Sequence, residues 1–132
     1  MTQPVELQVK SIVLDDFMET TLPLQTVALL KIDTQGHELQ VLRGAAKSLL
    51  ARRIQAVYAE NDSGLMTAAG VNPRDILEFM ASVGFQPFKV EQFVIEHDTF
   101  TRVPGVHPLS SLDAASGAGN DMLWLPVDNK AK

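Results

Sequence analysis

The chain has 132 residues, a formal net charge of −5 and no cysteine. Its length suggests one domain with a single core, and a hydrophobic fraction of 45% argues against disorder. The negative charge and the scattered basic residues argue against nucleic acid as a partner. The lack of cysteine excludes disulfides and thiolate metal sites.

The first residues, Met1 to Glu6, contain neither a basic region nor an apolar stretch, so they do not resemble a signal peptide. All apolar runs are shorter than the roughly 20 residues of a membrane-spanning helix. These features predict a cytoplasmic protein without a membrane span.

The amino-terminal third of the chain predicts strands. Apolar residues alternate with polar ones from Val5 onward, which predicts one strand or two short strands over residues 5–14. A short helical turn is predicted at residues 17–19. Residues 27–32 are apolar except for Lys31, which is typical of a central strand covered on both faces.

The middle third predicts a helix and another strand. Apolar residues recur at helical spacing over residues 37–52. Gly44, within this span, indicates either close approach to a neighbouring element or a tolerated glycine. Residues 54–59 predict a strand that ends at the polar residues 60–62, and residues 63–71 predict a loop.

The rest of the chain predicts a helix followed by two strands. Asn72-Pro73 is a typical helix start, and Gly84 is expected to end the helix. Residues 85–90 and 122–125 predict strands, while residues 93–95 either extend the first of these or turn back against it.

Residues 97–120 predict a mobile loop that either gates a site or has no role there. Strands that alternate with helices predict an α/β fold with a mostly parallel sheet. The last two strands have no helix between them, so we expect them to pair antiparallel.

One motif follows the strand predicted at residues 27–32. It reads Lys31-Ile-Asp-Thr-Gln-Gly-His-Glu38 and continues as Val41-Leu-Arg-Gly-Ala45. This motif resembles the central signature of the FkbM-type methyltransferases, which typically read Lys-Ile-Asp-x-Glu-Gly-x-Glu and then Leu-x-Gly-Ala. Gln35 stands where that family has an acidic residue. Three flanking segments also resemble the family's strands, namely residues 12–16, 54–60 and 120–124.

The resemblance implies a class I methyltransferase-like (Rossmann-like), mostly parallel sheet with an antiparallel last strand. It also implies that residues 1–132 form a single partial domain with a core at about residues 5–126, because the amino-terminal cofactor half is missing. That half normally carries a glycine-rich turn, and none precedes Val5. The chain is then either a fragment or a truncated relative.

The activity implied by the resemblance is S-adenosylmethionine-dependent methyl transfer. The acceptor would be a hydroxyl group of a small molecule, a sugar or a lipid. The alternative is a catalytically inactive relic or a protein-interaction module.

Candidate catalytic residues follow the two predicted parallel strands. Asp33 and Glu60 each stand at a carboxyl end, where ligands bind in open α/β sheets. Asp33 either contacts the substrate or caps the next helix, and Glu60 either faces the same crevice or forms a salt bridge or loop cap. His37 is either a base or an exposed residue of the first helical turn.

The resemblance places four further signature residues on the substrate side: Lys31, Gln35, Gly36 and Glu38. Glu38 either bonds back to a free N–H at the helix start or contacts a ligand. Lys31 either has a partner within the strand or reaches solvent at an edge. No metal site is predicted, because no fixed ligand spacing connects the side chains that could bind a divalent ion, Asp33, His37, Glu60 and Asp62.

The strand at residues 27–32 would also have an open edge without a neighbour from a cofactor half. Open apolar edges self-associate. We therefore expect a homodimer through this edge or aggregation, unless residues 5–14 fold over the edge and cover it.

Overall fold

The computed structural model describes residues 3–90, 94–96, 99–101, 106–108 and 120–128. In chain order, the elements within these residues are α1 (Leu14–Thr21), β1 (Leu30–Ile32), α2 (Glu38–Arg43), α3 (Ala46–Leu50), β2 (Val57–Asn61), α4 (Ser63–Ala68), α5 (Pro73–Ser82), β3 (Phe85–Val90), β4 (Val94–Glu96), β5 (Thr99–Thr101), β6 (Val106–Pro108) and β7 (Asn120–Pro126). None of the helices in this part of the chain is long and apolar enough to cross a membrane.

The main sheet has five strands in the order β1-β2-β7-β3-β6. β1 pairs parallel with β2, whereas β7 pairs antiparallel with both β2 and β3. The predicted α/β class and the antiparallel pairing of the last strand are therefore confirmed. The prediction of mostly parallel pairing is wrong for the described strands, because β7 separates two strands that run in the same direction and β6 returns antiparallel to β3.

The strand predicted over residues 5–14 is wrong. Gln3 to Val13 have no regular secondary structure, and α1 begins at Leu14. Val5 and Leu7 are 82% and 81% exposed. Alternating polarity produces a strand only where a neighbouring backbone supplies hydrogen bonds, and none of the described strands pairs with these residues. The helical turn predicted at residues 17–19 lies within α1.

β1 is a short edge strand rather than the central strand predicted at residues 27–32. Only residues 30–32 form the strand, although Val27 makes one isolated parallel bridge to Ile54. Lys31 is exposed and Leu29 is 54% exposed. Among the described residues, nothing pairs with the outer edge of β1, so residues 5–14 do not cover it.

The helix predicted over residues 37–52 is divided into α2 and α3 at Gly44 and Ala45. The carbonyl oxygen of Gly44 accepts a hydrogen bond from the backbone N–H of Asp15 at 2.8 Å. A Cβ atom at residue 44 would lie 3.6 Å from the backbone nitrogen of Leu14. The start of α1 thus packs against the break, but an added Cβ would make only ordinary van der Waals contacts, so the interpretation of Gly44 as a tolerated glycine stays open.

The prediction of a loop at residues 63–71 is wrong, because α4 occupies Ser63–Ala68. The Asp62 side chain caps this helix by accepting a hydrogen bond from Leu65 N–H at 2.9 Å. α5 starts as predicted, since the Asn72 side chain accepts from Arg74 N–H at 3.0 Å. Gly84, with a φ of 81°, follows the end of α5.

The region predicted as a mobile loop, residues 97–120, contains β5 and β6. β5 pairs with β4 in a separate two-stranded sheet, so the chain turns back after β4. The rest of the loop prediction, at residues 97–98, 102–105 and 109–119, lies outside the described residues.

The core lies against one face of the main sheet. Along β2, Val57, Ala59 and Asn61 are buried, whereas Tyr58 and Glu60 on the opposite face are half-buried. The largest apolar side chains buried in the core are Met18, Leu39, Leu42, Leu49, Ile54, Met66, Ile76, Met80, Phe85, Met122 and Trp124. The opposite face carries Tyr58 and Glu60 of β2 next to Leu123 and Asp121 of β7.

Candidate active site

A tight turn connects β1 to α2. Gln35 and Gly36 both have positive φ values, 56° and 109°. A Cβ atom on Gly36 would lie 2.6 Å from the carbonyl oxygen of Leu65 in α4. The turn therefore approaches α4 so closely that glycine is required. This contact fixes where the side chains of the turn point.

Glu38 holds the turn from inside. Its carboxylate is 1% exposed and accepts hydrogen bonds from Thr34 N–H at 2.8 Å, from the Thr34 hydroxyl at 3.1 Å and from Gly36 N–H at 3.0 Å. The bond back to free N–H groups that was predicted for Glu38 is present. Because both carboxylate oxygens accept hydrogen bonds from residues of the turn, the role of Glu38 is to stabilise the turn that carries the site.

Gln35 connects the ends of the two parallel strands. Its side-chain Nε2 donates hydrogen bonds to Asp33 at 2.8 Å and to Glu60 at 2.9 Å. Asp33 is exposed and Glu60 is half-buried. Asp33 does not cap α2, since His37 occupies the N-cap position. The structure thus brings together the two carboxylates that the sequence places at this edge.

The two carboxyl groups shift each other's titration in opposite directions. Hydrogen bonds from Gln35 and Glu60, together with the charge of Lys31, lower the pKa of Asp33. The hydrogen bond to Asp33, partial burial and the nearby charges of Asp33, Asp121 and Asp62 raise the pKa of Glu60. When two carboxyl groups lie close together, the charge of the first to ionise raises the pKa of the second. Asp33 is therefore the member of the pair that ionises first.

A pocket of about 140 Å³ lies over this pair and is lined by Lys31, Ile32, Asp33, Tyr58, Glu60 and Asp121. The Tyr58 hydroxyl donates a hydrogen bond to the Asp121 carboxylate at 2.8 Å. Burial, the hydrogen bond to Asp121 and its charge raise the pKa of Tyr58 to about 12. Tyr58 is therefore a neutral donor at physiological pH.

His37 and Lys31 are both exposed, although Lys31 also lines the pocket. His37 is exposed at the start of α2, and its side chain makes no capping hydrogen bond. Lys31 is exposed on an edge strand, in agreement with the interpretation that it reaches solvent.

Oxygen atoms of Asp33, Glu38 and Glu60 lie within 4.8 Å of one another. Neither His37 nor Asp62 belongs to this carboxylate cluster in the described part of the chain. Hydrogen bonds from the turn and from Gln35 already occupy these carboxylates, so the cluster alone does not define a metal site.

Two residues of the pocket, Tyr58 and Asp121, were not predicted as site residues from the sequence. Tyr58 precedes Glu60 by two residues in β2, so the alternation of a strand places both on one face, and this signal was available. Asp121 had no such signal, because it reaches the pocket only through the pairing of Glu60 with Asp121 between β2 and β7.

The fold and the site together define a mixed α/β domain with a carboxylate-rich pocket at the ends of parallel strands. A family model, the methyltransferase FkbM domain, matches residues 2–87. This match includes the signature, Asp33 and Glu60, and it covers about two-thirds of the chain. The chain therefore belongs to the FkbM methyltransferase domain family. No curated protein and no solved structure matches the chain.

Proposed function

We propose that this chain is an S-adenosylmethionine-dependent methyltransferase that methylates a hydroxyl oxygen of a small molecule, a sugar or a lipid in the cytoplasm. The family match over residues 2–87 carries this proposal. The pocket at the strand ends supports it, because ligands of open α/β sheets bind there.

The strand order gives further support for a class I methyltransferase-like sheet. β2 and β3 run in the same direction, and the reversed β7 lies between them. A reversed last strand is the feature that the resemblance implies for this fold. We take the described strands as the acceptor side of such a sheet.

Asp33 is the proposed base. The acceptor hydroxyl donates a hydrogen bond to the Asp33 carboxylate, and Gln35 holds that carboxylate in place. In this position the Asp33 carboxylate is placed to accept the proton of that hydroxyl. Such transfer needs a fixed near-attack geometry and a base that is ionised at the working pH. The lowered pKa of Asp33 keeps its carboxylate ionised, but it also makes Asp33 a weaker base than a group whose pKa lies near the working pH.

The described residues do not supply a usual site for the cofactor. The described residues contain no Gly-x-Gly turn, and their glycines with positive φ, Gly36, Gly70 and Gly84, stand singly in turns. A glycine-rich turn is what normally lets the backbone approach such a cofactor. We therefore assign no residue of this chain to hold S-adenosylmethionine and derive no step through it.

The second candidate function is an interaction module without catalysis. The observation in its favour is the exposure of apolar residues before β1, where Val5, Leu7 and Val9 are each more than 80% exposed. Surfaces of this kind commonly mark contacts with other proteins.

Calorimetric titration with S-adenosylhomocysteine separates the two functions. Binding in the micromolar range supports the methyltransferase, and no heat at millimolar ligand contradicts it for this chain and favours the interaction module.

If binding occurs, production of S-adenosylhomocysteine from S-adenosylmethionine is measured with a panel of hydroxyl acceptors. Loss of a general base typically costs 10²- to 10⁴-fold in rate. Asp33→Asn should therefore lose about 100-fold or more while still binding the ligand, and Asp16→Asn, an exposed change in α1, should keep the wild-type rate.

A further inference from the structure

Exposed apolar side chains are concentrated in one part of the molecule. Among the described residues, eight large apolar side chains are more than half exposed, and seven of these lie between residues 5 and 29: Val5, Leu7, Val9, Ile12, Val13, Leu24 and Leu29. The remaining one is Leu50. A concentration of this kind indicates a contact surface.

The open edge of β1 is a poor candidate for that contact. β1 has three residues, and the middle one is the exposed Lys31. Short edge strands and edge lysines are features by which proteins prevent edge-to-edge pairing. The segment that precedes α1 is therefore a better candidate for the surface through which two chains would associate.

We call residues 3–13 the arm. Every residue of the arm is exposed, and none of them belongs to a helix or strand. Within the arm, Val5, Leu7 and Val9 alternate with polar residues, so an extended arm would have one apolar face and one polar face.

The arm is complementary to a second copy of itself. In an antiparallel pair centred on Gln8, Glu6 lies opposite Lys10 of the second copy, and Leu7 lies opposite Val9. By symmetry each contact occurs twice, as in any isologous interface. Opposite charges and apolar residues that face each other across strands stabilise a pair. Moving the register by two residues keeps an apolar face but removes both Glu–Lys pairs.

We propose that the chain forms a two-fold symmetric dimer in which two arms pair as an antiparallel ribbon centred on Gln8. A two-stranded ribbon is marginal by itself, so its apolar face needs a surface to pack on. A groove of about 410 Å³ offers one where the arm meets α1. It is lined by Asp16, Phe17 and Thr20 of α1 and by the last three residues of the arm, Ser11, Ile12 and Val13. The proposal does not depend on methyl transfer.

Disulfide trapping tests the register, because the chain has no native cysteine. Residues 8 of the two copies would face each other at a Cα separation of about 4.5–5.5 Å, which a disulfide can bridge. Residues 11 would be about 20 Å apart along the ribbon. Under mild oxidation, Gln8→Cys should form a covalent dimer at least tenfold faster than Ser11→Cys. Equal rates for the two variants would overturn the proposed pairing.

Charge reversal tests the same contact without a crosslink. Glu6→Lys and Lys10→Glu each place like charges opposite one another twice, and each should weaken the dimer about tenfold in sedimentation equilibrium. The double variant E6K/K10E restores opposite charges and should return the dissociation constant to the wild-type value. A wild-type chain that stays monomeric at all concentrations, or a double variant as weak as the singles, would contradict the dimer and leave the arm to a different partner.

Discussion

The chain has a single tyrosine, Tyr58, and it lies in the candidate pocket. Its hydroxyl is a donor to Asp121, and its raised pKa keeps it protonated at physiological pH. A neutral phenol of this kind cannot act as a base in methyl transfer. Among the residues that line the pocket, this leaves the carboxylates of Asp33, Glu60 and Asp121 as the groups that can accept a proton, and the proposed function assigns that role to Asp33, whose pKa is lowered.

The pKa of Tyr58 can be measured directly by absorbance, because no other tyrosine contributes. We expect a midpoint near pH 12 in the folded chain, compared with about 10 in denaturant. Asp121→Asn removes a charge that opposes ionisation, so the midpoint of this variant should be lower. Since the folded pKa is higher than the unfolded one, this group's contribution to stability is present below pH 10 and is lost as the pH rises through about 12. A folded-state midpoint near 10, with circular dichroism as the check on folding, would contradict the environment described for Tyr58.

At the scale of the elements, the turn after β1 is fixed by its contact with α4. Gly36 has a positive φ and also lacks the space for a side chain, whereas Gly70 has a φ of 78° with no atom within 4 Å of an added Cβ. Alanine substitutions at the two glycines therefore allow the free-energy cost of the backbone conformation to be distinguished from that of the steric contact.

Gly36→Ala should be much more destabilising than Gly70→Ala. A left-handed conformation costs a non-glycine residue about 1–2 kcal/mol, which is the full expectation for G70A. In G36A the Cβ would also meet the Leu65 carbonyl at 2.6 Å, so we expect a loss of about 3 kcal/mol or more. Urea unfolding of both variants measures the difference. Equal losses would show that the turn does not pack on α4 as described.

Asp15 connects α1 with the start of α3. It is 6% exposed, and its carboxylate accepts hydrogen bonds from Lys47 N–H and Ser48 N–H, both at 2.9 Å, and from the Ser48 hydroxyl at 2.7 Å. Burial acts to raise its pKa, but these hydrogen bonds outweigh it, and the pKa of Asp15 lies below its usual value. This carboxylate therefore caps a helix that is more than 30 residues away in the sequence.

Asp15→Asn should lower the free energy of unfolding by about 2 kcal/mol at neutral pH, because a capping carboxylate and charge-assisted hydrogen bonds are lost. Asp16→Asn, an exposed change at the neighbouring position, serves as the control and should have little effect. The lowered pKa of Asp15 gives a stabilising contribution that is present above pH 3.8 and is lost as the pH falls. As the pH falls, the free energy of unfolding should therefore decrease less steeply for D15N than for the wild type. Parallel curves of unfolding free energy against pH would contradict this role.

Elements with local signals were predicted well from the sequence. α5 has its cap and proline in adjacent positions, β2 follows the apolar residues from Ile54 onward, and β3 combines apolar residues with Gln86 and Lys89. Errors arose where a distant contact decides the structure. The break between α2 and α3 depends on the start of α1, and the arm has no strand to pair with.

The candidate site was predicted only in part for the same reason. Asp33 and Glu60 were expected at one edge of the sheet, because strand ends are visible in the sequence. The bridge through Gln35 depends on a positive φ at a residue that rarely adopts one. α4 was missed although its cap, Asp62, is local, because six residues with a glycine give little helical periodicity.

At the scale of the whole molecule, the arm is separate from the folded body. Since its residues are exposed and lie outside the sheet, deletion of residues 3–10 should leave the free energy of unfolding of the monomer, measured in urea, unchanged within about 0.5 kcal/mol. The measurement is made at low protein concentration, where dimerisation does not contribute. A large loss of stability would show that the arm packs on the body of the same chain.

The position of β7 also affects how the chain is made. β7 is the last described strand in the sequence, yet it lies between β2 and β3 and pairs with both. During synthesis on the ribosome, the middle of the sheet stays empty until residues 120–126 have emerged, although β2 has been available since residue 61. At about 5–20 residues per second, this leaves the nascent chain several seconds with two unpaired strand edges. Chaperone binding to the nascent chain should therefore be strongest in this interval and should end when β7 inserts.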